Sequence, residues 1–224
     1  MFIGHLGVGL ALKPAAPKVN LGLLFVAVLL LDFLLGLFVL LGIEQVHIPA
    51  NYAQRHYLTF TFPYSHSLIG SLVWSALAFL VTKVVLYGNR PGSTRAASVV
   101  ALAVFSHFPC DVIEHVPELP LAGATSSKLG LGLWNHLGLA LGLEVGLVVI
   151  GLIAYWRTAA GLTRTATVGL LALMVVLALI GVGGQALSTA APSPTAEALT
   201  WVLQPCLIGG IAFWLDRQRT VAKV

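Results

Sequence analysis

A chain of 224 residues with 58% apolar and 9% charged side chains, at a mean hydropathy of +0.95, is not composed like a soluble domain. Its solvent is lipid. The net charge of +4 follows from orientation in a membrane with anionic headgroups and calls for no nucleic-acid partner.

Residues 1–12 are too short to span a bilayer and too apolar to float in water. No basic region precedes this run, whereas Lys13, Pro14 and Lys18 follow it, so it reads as a retained segment and not a cleaved signal peptide. With Lys13 and Lys18 at the inner surface, a helix running back from them is a half-span that carries His5 roughly 12 Å into the membrane. Gly4, Gly7 and Gly9 suit close helix contact.

Six stretches of spanning length follow, at residues 21–43, 66–86, 96–113, 129–155, 165–187 and 199–215. All basic residues except Arg55 and Lys128 lie in segments that fall on one side of such a chain: Lys13, Lys18, Lys83, Arg90, Arg95, Arg157, Arg164, Arg217, Arg219 and Lys223. The positive-inside rule therefore puts both termini in the cytoplasm. The fold expected is an all-α, polytopic membrane helix bundle of about six transmembrane helices plus an amino-terminal half-span. Residues 1–145 form its metal-site half, and residues 146–224 are apolar scaffold within one integral domain. There is no inverted internal repeat, because every ionisable group inside a predicted span falls in the first 144 residues. Cys110 and Cys206 form no CxxC pair and read as small buried hydrophobes.

A charged side chain near the bilayer centre costs about 2.5–3.5 kcal/mol on insertion scales, so each needs a partner or a purpose. Asp32, Asp111 and Glu144 are such groups, with His5, His66, His107, His115 and His136 at similar or shallower depth. His107, Asp111 and His115 recur every four residues, one face of a helix that Pro109 bends and that Pro117 and Pro120 end near His115. Imidazoles and carboxylates without a thiolate favour zinc, two or three ions, or another divalent first-row metal. His47 and His56, in the long outer loop, are left out of this set. Two other readings stay open: a proton or metal-ion transporter or channel using the same Asp, Glu and His groups, and a haem-binding or structural membrane subunit.

The order Gly4-His5, Asp32, Tyr64-Ser65-His66-Ser67, Ser106-His107-Phe108-Pro109-Cys110-Asp111, Glu114-His115-Val116-Pro117-Glu118-Leu119-Pro120-Leu121 and Gly130-Leu131-Gly132-Leu133-Trp134-Asn135-His136 resembles the YdjM-like inner-membrane metal-dependent hydrolases of bacteria. These are related more distantly to zinc-dependent phospholipase C and the fungal zinc nucleases. The resemblance covers roughly residues 1–145, and implies His5, Asp32, His66, His107, Asp111, His115, His136 and Glu144 as ligands. Asp111 would bridge and Asp32 act as general base. Ala140 stands where the last glutamate is expected, and Glu144 comes one turn later. The implied activity is hydrolysis of a phosphoester, lipid-linked and at the outer leaflet, in a multi-pass protein of the bacterial inner membrane whose site faces the periplasm.

Overall fold

The computed structural model describes residues 1–158 and 162–218, so Arg219 and Lys223 of the basic tail lie outside the described residues. The chain is mostly helical. A first helix, α1 (Ile3–Leu12), runs into a 3-10 turn (Lys13–Ala15) and is followed by α2 (Leu21–Val28) and α3 (Leu30–Leu40). A loop then holds strand β1 (Gln45–His47), the short α4 (Tyr52–Arg55) and β2 (Thr59–Thr61), with Val46 opposite Phe60 in an antiparallel pair. Next come α5 (Leu68–Val81), continued by a π turn to Leu86, and α6 (Ser93–Glu114). A second small ribbon, β3 (Leu119–Pro120) with β4 (Lys128–Leu129), precedes a 3-10 turn (Leu133–His136), α7 (Leu137–Thr158), α8 (Arg164–Leu187) and α9 (Pro194–Arg217).

Among the described residues five helices are long and apolar enough to cross a membrane, or six if the pair α2–α3, bent by 51°, is one span. Their outward faces carry Leu139, Leu179 and Leu207, each more than 60% exposed, an apolar surface that soluble monomers do not present. Helix starts follow side-chain caps. Asn20, Ser67, Thr163 and Ser193 accept hydrogen bonds from the backbone N–H of Gly22, Gly70, Ala166 and Ala196. Ser193 with Pro194 starts α9 earlier than the apolar run suggests and takes in Glu197, and at its other end the helix runs on to Arg217 and takes in Asp216; the sequence placed both ionisable groups outside any span. Cys206 is exposed on α9 instead of buried.

α1 is enclosed, with Leu6 and Leu10 fully buried, and packs on α7. At the crossing Gly7 lies against the backbone of Leu147, and Gly151 against the Gly7 carbonyl, so that a Cβ on either would overlap main chain. Gly22 against Gly209 brings α2 onto α9 in the same way. At the far end of α1, Lys13 is no free surface charge. It is buried, with Nζ donating to Asp216 Oδ2 at 2.7 Å and to the Val19 carbonyl, while Asp216 also accepts from Leu21 N and the Tyr155 hydroxyl.

Two boundaries differ from the sequence reading. The run 21–43 breaks at Leu29, whose φ of −103° and ψ of 7° leave the helical region, although no Pro or Gly stands there. The run 129–155 becomes helical only after Gly130 and Gly132, which have φ of 153° and 73°, and whose turn delays α7.

Candidate metal centre

α6 runs through Pro109 and ends at Glu114, leaving His115 extended at φ −65°, ψ 148°, aimed by the helix end. His107 and Asp111, one turn apart and fully enclosed, are its inward face. α3 brings Asp32 in its first turn, and the start of α5 brings His66 beside the Ser67 cap. His107 Nε2 lies 3.1 Å from Asp111 Oδ2, 3.5 Å from Asp32 Oδ1 and 3.2 Å from His66 Nε2. His66 Nε2 is 3.6 Å from both Asp32 Oδ1 and Asp111 Oδ2.

The surroundings decide which of these atoms carries a proton. His107 Nδ1 is 2.7 Å from the Val28 carbonyl, which can only accept, so Nδ1 donates and Nε2 of the neutral ring is a bare lone pair. The break after Val28 is what places that carbonyl there. Ser65 donates its hydroxyl to Glu44 Oε2 at 2.6 Å, and so accepts from His66 Nδ1 at 2.8 Å, leaving His66 Nε2 bare as well. Glu44 Oε1 accepts from two further donors, Tyr64 N at 2.8 Å and Ser65 N at 2.9 Å. His115 Nδ1 donates to Glu118 Oε1 at 2.7 Å, the other Glu118 oxygen accepts from Phe60 N, and His115 Nε2 faces Asp111 Oδ2 at 3.8 Å. Burial holds the His115 imidazole below its ordinary pKa, against the opposing pull of Asp111 and Glu118.

Two imidazole lone pairs and two carboxylate oxygens thus converge with no donor among them. Such an arrangement repels itself unless one ring is protonated or a cation stands between. Each neutral ring is oriented through its second nitrogen by a carbonyl or a hydroxyl–carboxylate relay, as metal-ligating histidines are. The donor set, imidazole with carboxylate, fits a divalent first-row ion. His66, His107 and Asp111 can place their ligand atoms within 4.8 Å of one another, as can His5, Asp32 and His107. Because His107 has only Nε2 to offer, these two groups overlap at one position.

His5 stacks on His107 with ring centroids 3.7 Å apart, sets Nε2 3.1 Å from Asp111 Oδ1, and leaves Nδ1 buried without a partner. The Met1 amino group lies 3.3 Å from Asp111 Oδ1 and from Glu114 Oε2. Two expected ligands are elsewhere. Glu144 accepts from Phe2 N at 2.8 Å and Gly4 N at 3.1 Å, so its carboxylate answers the unpaired N–H groups and positive dipole of the α1 start. His136 is exposed at the end of a 3-10 turn: with α7 starting late, Trp134 faces inward in its place and donates to Glu114 Oε2 at 3.0 Å.

The cluster opens into a cavity of about 540 Å³. Asp32, at 19% exposure, is the most open of the cluster's side chains. Rings of Tyr57, Phe60, Phe62, Trp134 and Trp201 wall the cavity. Its rim is the set of loops poor in Lys and Arg, including Tyr52, His56, Ser188 and Pro192. α8 and α9 complete it with Gln185, Glu197 and Gln204, so they are not scaffold alone. His56, set aside in the sequence, lines this cavity in a left-handed conformation at φ 59°, with its Nδ1 buried and unpartnered. His47 only pairs with Thr61 Oγ1 at the surface. The sequence alone assigns no role to Glu44, Ser65, Glu114 or Glu118, and the one local signal is Glu118 standing three residues after His115. The chain matches no protein-family model, no curated protein and no solved structure with which it was compared.

Proposed function

We propose that this chain is a membrane-embedded, metal-dependent hydrolase of a lipid-linked phosphoester, with zinc the favoured ion. The observation that carries this reading is the convergence of His66 Nε2, His107 Nε2, Asp32 and Asp111 at 3.1–3.6 Å, with both ring tautomers fixed. His5 and His115 flank Asp111 and are the donors for a second ion.

A divalent ion there supplies Lewis acidity toward phosphoryl oxygens and makes a water more acidic. The residues do the rest. Asp32, facing the cavity, accepts the proton of the attacking water. Asp111 holds the centre from within, pinned by His5, and the aromatic walls exclude bulk water from the reacting phosphate. Six spans, counting α2–α3 as one, with α1 as a half-span plug, set the cavity mouth among the loops poor in basic residues. That is the periplasmic side of a bacterial inner membrane under the positive-inside rule.

Fully buried Leu6 and Leu10 lie along α1 between His5 and Lys13, and Leu24 and Phe25 are equally enclosed on α2. This apolar layer argues against the transporter reading, which needs a polar path to the other face. Two Nε2 atoms facing each other across 3.2 Å leave no slot for a macrocycle between them, which argues against haem.

Elemental analysis of the purified protein tests the reading first. One or more zinc per chain, lost together with cleavage of a fluorescent phosphodiester lipid on chelation, is the expected result. Asp32→Asn should lose cleavage by far more than its loss of metal accounts for. Iron with a Soret band, or no metal after growth in zinc-replete medium, would overturn it. A cysteine placed at Thr125 should react with an impermeant thiol reagent in intact cells and one at Gly92 should not; the reverse pattern inverts the orientation.

A further inference from the structure

Glu197, Trp201 and Gln204 lie at positions i, i+4 and i+7 of α9, on successive turns of one face, and all three line the cavity; Gln185 of α8 joins them. Among the described residues, the side chains of Glu197, Gln185 and Gln204 make no hydrogen bond or ion pair. The other cavity carboxylates are provided for. Asp32 and Asp111 gather imidazoles, and Glu144 accepts two backbone N–H groups. Among the described residues no lysine or arginine lines the cavity; the Met1 amino group that reaches it is held at 3.3 Å by Asp111 and Glu114, and Arg55 is exposed and donates to the Tyr57 hydroxyl at 3.2 Å. A carboxylate in the first turn of a helix is modestly favoured by the helix dipole, which explains a glutamate at that end. It does not explain two amides and an indole facing the same space on membrane-length helices, where polar side chains are costly.

We propose that this stripe is a headgroup subsite for an ammonium group: the substrate is a phosphoester whose headgroup carries a positively charged amine, with its phosphate at the histidine–aspartate end and its amine at Glu197. An ammonium brings three donors and no acceptor, and the stripe offers it one carboxylate, two amide oxygens and the aromatic ring of Trp201. A second phosphate or another anion would meet Glu197 without a counter-ion. A neutral polyol would leave the Glu197 charge uncompensated. The substrate class rests on the phosphoester reading; the ammonium preference rests on the stripe alone.

The full chain in nanodiscs with equal phosphatidylethanolamine and phosphatidylglycerol provides the test, the lipid retained after transfer to detergent being read by native mass spectrometry. The wild type should retain phosphatidylethanolamine over phosphatidylglycerol by about tenfold, as one charge-assisted bond gives. The isosteric Glu197→Gln should bring the ratio near one. Equal retention by the wild type, or an unchanged ratio in Glu197→Gln, overturns the proposal. Should that variant not fold, competition on the wild type decides: phosphoethanolamine must displace bound lipid at lower concentration than glycerol 3-phosphate, and the opposite order refutes the subsite. A retained ratio with no phosphoester cleaved would sink the hydrolase and leave the subsite standing. Equal retention with cleavage of both lipids would do the reverse.

Discussion

Replacing Ser65 by Ala removes one oxygen and should show how the candidate centre is held. The hydroxyl donates to Glu44 at 2.6 Å and accepts from His66 Nδ1 at 2.8 Å, and both Ser65 and His66 are buried. In Ser65→Ala the Nδ1–H has no acceptor, an unmet buried group that costs about 1–3 kcal/mol. Glu44 keeps its two backbone donors, so the loop itself should survive. The ring is then free to take the other tautomer, and loss of an orienting partner weakens metal binding about 10- to 100-fold. With free zinc at about 100 times Kd, the bound ion stabilises the wild type by about 2.7 kcal/mol, and a 100-fold weaker site would retain about 0.4 kcal/mol. Zinc affinity measured by chelator competition, with melting followed in zinc and in chelator, separates the two effects. Most of the zinc-dependent rise in Tm should vanish, while Tm in chelator falls modestly. Wild-type zinc affinity in Ser65→Ala would refute the tautomer argument.

Three further outcomes follow from the same geometry. Asp111→Asn and His107→Ala should each lose metal and thermal stability together, whereas His47→Ala and His136→Ala should lose neither; metal retained in Asp111→Asn would mean that the cluster is drawn wrongly. Glu144→Gln should cost about 1–2 kcal/mol through the α1 start and speed amide hydrogen exchange near Gly4 with little change in zinc affinity; unchanged exchange would remove Glu144 from that role. Gly7→Val must push into the Leu147 main chain and should lower Tm by the equivalent of about 1–3 kcal/mol, while Gly138→Val, with open space around it, should not; equal melting of the two would contradict the close crossing.

The lengths of the apolar runs made the long helices readable, because a spanning helix is set by hydrocarbon thickness. Gly7 signalled the tight packing of α1, since a small residue in a short apolar run has few other uses. The four-residue spacing of His107 and Asp111 carried directly into space because α6 stays helical through Pro109. What the sequence hid came from backbone that departs from its pattern. Nothing in the residues around Val28 marks a break, yet the break frees the carbonyl that sets the His107 tautomer. The Gly130–Gly132 turn delays α7, which puts His136 outside and Trp134 inside. Glu44 and Glu118 orient histidines across loop folds that no periodicity describes. Gln185 and Gln204 stand in apolar runs that read as scaffold, and only the folded positions of α8 and α9 bring them to one cavity.

The packing of α1 on α7 also fixes an order of assembly. α1 leaves the ribosome well before α7 and is too short to span a bilayer, while the groove that receives Gly7 and the carboxylate that caps its first turn both belong to α7. Until then the segment has to wait at the membrane surface with those N–H groups turned to water or headgroups. The histidine-rich centre therefore closes from below only when more than half of the chain is in the membrane. A nascent chain halted before Glu144 holds no enclosed centre, so its histidines and carboxylates stay open to water until the bundle is nearly complete.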